Sequence, residues 1–203
     1  MPADAQMAIC CQAKDIFYAK KEIRMKKSIT FERVTIQNAD NFNWAYELLC
    51  ESFPANERRT LKAQKEILGH PDYRLCVAMC GNVKVGVVGY FETPSFIYFE
   101  NFCTAPQLRN SGFGSEILQA LVAKYADRLF VLEAELPVDE LTTRRIGFYK
   151  RNGMQVNVFD HIQPHYNKGD ADLHLLVLSH GRQLTREEYV AFRKYLDSNV
   201  DVR

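Results

Sequence analysis

Arg109-Asn110-Ser111-Gly112-Phe113-Gly114-Ser115 stands between a strand-like run, Tyr98-Phe99-Glu100-Asn101-Phe102-Cys103-Thr104, and an amphipathic run with Ile117, Leu118, Leu121 and Val122 at helical spacing. A turn that opens a helix leaves backbone N–H groups unpaired, at the positive end of the helix dipole. Glycine there lets a ligand come close to the main chain. Such a turn suits a phosphate. Taken alone, it is equally a strand-to-helix turn with two convenient glycines.

Upstream, three strands follow in close order: Arg74–Met79, Val83–Phe91 after a tight Gly81-Asn82 turn, and Phe96–Thr104 after Thr93-Pro94. That spacing predicts an antiparallel meander. Before it, Ile29, Phe31, Val34 and Ile36 suggest a strand with one slip in its alternation. Asn41–Phe53 reads as a helix carrying Trp44, Leu48 and Leu49, and Glu57–Leu68 as a second, charged helix stopped by Gly69 and Pro71. Downstream, the helix Gly112–Tyr125 leads to a strand, Leu129–Ala134, and a helix, Val138–Arg151, ended by Asn152-Gly153. Met154–Phe159 and Leu173–Leu178 are the closing strands. Leu184–Leu196 is a last amphipathic helix, with Thr185 as N-cap and Glu188 three residues on. The expected fold is α/β, a mixed central sheet with an antiparallel meander flanked by helices.

The 203 residues suffice for one domain with a sizeable core and are few for two. Residues 25–203 read as that single domain. Residues 1–24 read as an extension outside it, with Met25 as a natural start before the first strand. A net charge of +1 argues against nucleic acid or an anionic membrane as partner. No run approaches the roughly 18 apolar residues of a membrane helix, and no secretory signal is evident. The cysteines at 10, 11, 50, 76, 80 and 103 lack the paired spacing of a zinc site, so no metal is expected. Reduced thiols in a cytoplasmic protein are the reading that follows.

Three segments in order give the chain its resemblance. Arg109-x-x-Gly112-x-Gly114 is similar to the acetyl-CoA signature of the GNAT superfamily of N-acetyltransferases. Tyr98–Thr104 looks like that family's central strand. Ile146-Gly147-Phe148-Tyr149-Lys150-Arg151-Asn152-Gly153-Met154 resembles its second signature, an aromatic-Tyr pair followed by a turn into a strand. The resemblance covers roughly Ser28 to Leu178. The sequence departs from it at Asn110, where the family often has Gly, and at Thr142 and Arg145, where it often has Asn and Ala.

The resemblance implies the GNAT (acyl-CoA N-acyltransferase) fold and transfer of an acetyl group from acetyl-CoA to a primary amine of a small molecule or peptide, directly in a ternary complex. It puts the CoA pyrophosphate on the backbone of Asn110, Ser111, Gly112, Phe113, Gly114 and Ser115, with Arg109 at the loop entrance. It lays the pantetheine arm along Phe102, Cys103 and Thr104. Glu100 is the family-like base, its alternative being a solvent-facing strand residue. Tyr149 lies where relatives place the acid that protonates the thiolate, its alternative being an aromatic packed on the sheet. Glu133 and Glu135 share a strand face by the two-residue period and are candidates for binding the amine or holding the base, against an exposed strand end. His161, His165 and Tyr166 lie on the loop from Asp160 to Asp172 and are candidates to line the acceptor pocket, with a polar loop as the favoured reading. Cys103 lacks a marked base and is not expected to be a nucleophile. The rival reading is a catalytically inactive CoA-binding regulatory protein of the same fold. The acceptor, the acyl length and a homodimer stay open.

Overall fold

The computed structural model describes residues 28–201. The expected extension over 1–24, the start at Met25, and Cys10 and Cys11 lie outside the described residues.

The elements run β1 (Ile29–Arg33), α1 (Ala39–Ser52), α2 (Leu61–Ile67), β2 (Tyr73–Cys80), β3 (Val83–Glu92), β4 (Phe96–Thr104), α3 (Phe113–Lys124), β5 (Leu129–Glu135), α4 (Glu140–Arg151), β6 (Met154–Asn157), β7 (Leu175–His180) and α5 (Arg186–Asn199). Their ends are set by local chemistry. The Asn38 side chain accepts from the Asn41 N–H at the start of α1, and Thr60 accepts from Ala63 at the start of α2. Asp139 with Thr142 and Thr185 with Glu188 form reciprocal capping boxes at α4 and α5. Thr142, one of the departures from the family pattern, therefore has a structural task. The charged helix expected over Glu57–Leu68 is shorter than its pattern. Ala55–Glu57 forms a 3-10 turn, Arg58 is extended, and the α-helix starts only after Thr60.

The seven strands form one sheet in the order β1-β2-β3-β4-β5-β7-β6. All neighbours are antiparallel except β4 and β5. Both faces are covered. On one, Ile117, Leu118 and Leu121 of α3 pack against Val88, Ile97, Phe99 and Phe130. On the other, Phe42 and Leu49 of α1 and Phe192 and Leu196 of α5 pack against Phe91, Tyr98 and Val131. Each such side chain contributes about 1.5–3 kcal/mol on burial, so helices on both faces pin the sheet.

Two irregularities in β4 position everything that follows. Its pairing with β5 stops after Phe99 opposite Leu132, although both strands continue. Beyond that point the strands part, and the edge of Glu100–Thr104 turned away from β3 has no strand beside it. Next to the fork, Gly89 pairs with Asn101 and Tyr90 with Phe99, so Glu100 is an extra residue in the ladder. The bulge breaks the two-residue period. Phe99 and Phe102, three apart, bring their rings to 5.3 Å, and Glu100 is aimed at the opposite face.

Candidate functional site

The fork opens into a cleft of 660 Å³. Of the residues singled out from sequence, Glu100, Phe102, Cys103, Thr104, Arg109, Asn110, Gly112, Gly114, Ser115, Glu133, Glu135 and Tyr149 all line it. Ser111 and Phe113 do not. Ser111 is exposed, and the Phe113 side chain is buried in the core, leaving only its backbone to the loop.

At the mouth, the chain turns from β4 through a 3-10 turn at Pro106–Leu108 into α3. Asn110 has φ 61° and Gly112 has φ 91°, both left-handed. A Cβ on Gly112 would have no atom within 4 Å, so open space lies against this backbone. Gly114 meets the opposite condition, with its Cβ position 3.3 Å from the Phe148 ring, which lets α3 and α4 close on each other. Arg144 reaches across from α4 to the Asn110 side chain at 2.5 Å, and Arg109 donates to Ser52 at 3.4 Å. Arg151 also lines the cleft. The mouth thus joins open N–H groups at a helix N-terminus to arginine side chains, a combination that suits phosphate groups.

Deeper in, the charge reverses. Glu57, Glu100, Glu133 and Glu135 line the walls. Burial pushes the Glu57 carboxyl up, against the pull of Arg145. Glu135 is bonded to Arg145, the third departure from the family pattern. The Glu100 side chain is 0% exposed and receives Arg59 at 2.5 Å on Oε2. The solvent-facing alternative for Glu100 is therefore excluded. Arg59 itself is 6% exposed, its guanidinium 4.7 Å from the Tyr166 ring centroid and 5.6 Å from that of Tyr73. Glu100 Oε1 and Arg59 Nη2 are buried without a hydrogen-bond partner. A buried orphan oxygen on the wall of a cleft is an acceptor in wait for a donor.

The loop expected from Asp160 to Asp172 is buried over its first half and exposed over much of its second. His161, His165 and Tyr166 are buried, at 1%, 7% and 6% exposure. Gln163 donates to the Asn56 carbonyl at 3.0 Å, and Asn167 to the carbonyls of Ala55 and Arg58 at 3.3 Å, so the segment is stitched over Arg59. His161 meets Glu133 through Nε2, and Tyr98 donates its hydroxyl to the same carboxylate at 2.6 Å. Glu133 is accordingly a buried hub, with its side chain 7% exposed, rather than an exposed strand end.

Tyr149 stands on α4 across the cleft. Burial pushes its phenol up to about 12, with Arg145 opposing and Cys103 adding to the shift. The group keeps its proton at neutral pH and has one to give. Burial likewise pushes the Cys103 thiol up to about 12, and hydrogen bonds with Ser52 and Val87 offset only part of it. A thiol held neutral is a poor nucleophile. Among the described residues no group of His, Cys, Asp and Glu could hold a metal ion, and no helix is long and apolar enough to cross a membrane.

Residues 42–154 match the model of the Acetyltransferase (GNAT) family. No match is found among curated protein sequences. Among solved structures, a protein of Bacteroides thetaiotaomicron named as a GNAT-family acetyltransferase is 32% identical and superposes with a TM-score of 0.79, over 84% of this chain and 97% of its own. The ribosomal-protein alanine N-acetyltransferase of Escherichia coli is similar in fold at 14% identity and a TM-score of 0.55, covering 79% of this chain and 97% of that one. An aminoglycoside 6′-N-acetyltransferase complexed with coenzyme A is similar in fold at 15% identity and a TM-score of 0.55, covering 74% and 95%.

Proposed function

Since the chain belongs to the GNAT acetyltransferase family, we propose that it is a cytoplasmic N-acetyltransferase, carrying the acetyl group of acetyl-CoA to a primary amine in a ternary complex. The observation that carries this is the fork: an unpaired strand edge over Glu100–Thr104 that runs inward from a left-handed, arginine-flanked turn. An extended pantetheine arm has amides to pair with that edge, and a pyrophosphate has the loop N–H groups and arginines to meet. Gly112, with nothing within 4 Å of a Cβ position, supports the fit.

The acidic interior suits an amine that arrives as a cation. The two similar folds named for their acceptors act on an alanine of a ribosomal protein and on an aminoglycoside, and both acceptors present amines. An alkylammonium of pKa near 10.4 is neutral in only about one molecule in a few thousand at pH 7, so a proton must be removed before the nitrogen can attack. The Oε1 of Glu100 has no hydrogen-bond partner, which supports a role for it in accepting an N–H of the amine and orienting it. The carboxylates of Glu100 and Glu133 are the candidates to take the proton. The nitrogen then forms its bond to the thioester carbonyl, the C–S bond breaks, and the Tyr149 phenol supplies the proton to the sulfur. The neutral Cys103 thiol supports direct transfer over an acyl-enzyme.

The test is release of free thiol from acetyl-CoA with a panel of small and peptide amines, alongside calorimetry of CoA binding. In Gly112→Trp, a bulky side chain would stand over the loop N–H groups, and CoA affinity should fall at least about tenfold, or about 1.4 kcal/mol. Unchanged CoA affinity in that variant would remove the loop from the site. CoA binding with no thiol release from any amine would overturn acetyl transfer and leave a CoA-binding protein.

A further inference from the structure

Glu133 is tied from behind to a file of side chains that leads out of the cleft. Tyr98 donates to Oε2, and His161 Nε2 meets Oε1. The other ring nitrogen of His161, Nδ1, lies 3.2 Å from the Tyr189 hydroxyl, which donates to the Asp160 carbonyl at 3.0 Å. Tyr189 belongs to α5, is only half-buried, and stacks on Phe159 with ring centroids 4.0 Å apart. The file therefore connects the cleft to the outer side of the molecule without a gap.

Counting hydrogens along it fixes how many protons it holds. A carbonyl oxygen only accepts, so the single hydroxyl proton of Tyr189 points at Asp160. Tyr189 must then accept from His161, which requires Nδ1–H. One further proton has to lie between Nε2 and Oε1, because two bare acceptors would repel. The Glu133–His161 pair thus carries one proton more than a carboxylate beside a neutral ring. Written as an ion pair or as two neutral groups, its net charge is zero, as its burial favours. The other titratable or charged groups around it are Tyr98 from β4 and Tyr166 from the 161–166 stretch, with Glu100 acting on both; Asp160, paired with His174; and Arg193 from α5, which donates to the Ile162 carbonyl and pairs with Asp197.

Glu100 has no such outlet. Its bonded oxygen leads to Arg59, which is enclosed by Tyr73 and Tyr166.

Resting on the acetyltransferase reading, we infer that Glu133, His161 and Tyr189 form a proton relay that takes the proton shed by the acceptor amine and releases one at the outer surface. The ammonium first sheds one proton to water, and as the neutral nitrogen attacks, a further N–H bond breaks and an O–H bond forms on Glu133, while the shared proton settles on Nε2. The Nδ1 proton passes to the Tyr189 oxygen, and that hydroxyl's own proton leaves to water. One proton enters and one leaves. The ring is left as its other tautomer, and it resets when a proton passes back inward along the file and Glu133 gives up its own O–H proton to the cleft, where Tyr149 takes back one for the proton it gave to the sulfur. His161 and Tyr189 act through Glu133 and are positioning residues rather than groups that touch substrate.

The test begins with the free protein. Nitrogen-15 spectra of the histidine rings should show His161 protonated at Nδ1 at neutral pH, and a bare Nδ1 would overturn the relay. Tyr189→Phe keeps the stack on Phe159 and removes only the hydroxyl. Its kcat should fall by about tenfold or more at neutral pH, with amine KM and CoA affinity within about twofold of wild type. Added imidazole buffer should restore part of the rate. His161→Gln should show the same defect, and the double variant should be no slower than the worse single one, since both interrupt one route. A Tyr189→Phe enzyme with wild-type kcat and pH profile would assign the file to packing. The ring spectra need no turnover, so a wild-type protein that transfers nothing sinks the function while the spectra still judge the relay.

Discussion

Arg59 and Glu100 are 41 residues apart in sequence and meet at 2.5 Å with side-chain exposures of 6% and 0%. Removing one member of a buried pair leaves the other charge uncompensated, which typically costs about 3–5 kcal/mol. Arg59→Met should therefore lower the unfolding free energy by about that much, and adding Glu100→Leu should recover most of it. Urea denaturation of both variants checks this, and a loss under about 1 kcal/mol for Arg59→Met would mean the pair behaves as a solvated one. At this scale the sequence was legible only where a motif marked the residue. Glu100, Tyr149 and the glycine loop stood in recognisable spacing. Arg59 did not, because it lies in Glu57-Arg58-Arg59-Thr60, a run whose charges look solvated and whose burial depends on a partner in a distant strand. The burial of His161 and Tyr166 was hidden for the same reason. A polar residue in an irregular segment carries no period, and what covers it is decided by the tertiary fold.

Elements were read more fully than single side chains. The meander, α3, α4 and the Thr185–Glu188 capping box follow from apolar period and cap chemistry, and these signals are local. Two features escaped. The stretch before α2 is a 3-10 turn followed by extended backbone, because its side chains are used in tertiary contacts, so its charge pattern overstated the helix. The bulge at Glu100 shifts the β4 period by one, which no strict alternation could show. The closeness of β3 and β4 yields a prediction at this scale. A Cβ on Gly86 would lie 2.5 Å from the Cys103 carbonyl oxygen and 3.0 Å from Ile117. Gly86→Ala must push the strands apart and should cost about 1–3 kcal/mol. Because Cys103 lies on the edge proposed for pantetheine, CoA affinity should drop with it. A variant as stable as wild type would show that the sheet yields there without strain.

Over the whole molecule, the interior is rich in phenols. Burial holds Tyr73, Tyr90, Tyr98, Tyr149 and Tyr166 above the usual range, with Tyr149 up to about 12. The unfolded chain releases these protons near pH 10, before the folded one does. The stabilisation is complete below about pH 10 and is lost as the pH rises through the folded values, at about 1.4 kcal/mol per unit for each phenol involved. Urea midpoints should hold steady to about pH 9 and fall steeply above about pH 10; a midpoint unchanged across that interval would show the phenols titrating normally. The fork between β4 and β5 has a molecular consequence of a different kind. A bare strand edge ordinarily invites a second sheet to add on, which is how edge-to-edge aggregation begins. Here the bare edge lies in the middle of the sheet, with β5 diverging on its far side and helices over both faces. With β5 on its far side, the edge leaves no open flank along which a second sheet could add. The rims that face outward are β1 and the four-residue β6. The molecule can thus keep an unsatisfied backbone open for a slender guest without offering it to its own copies.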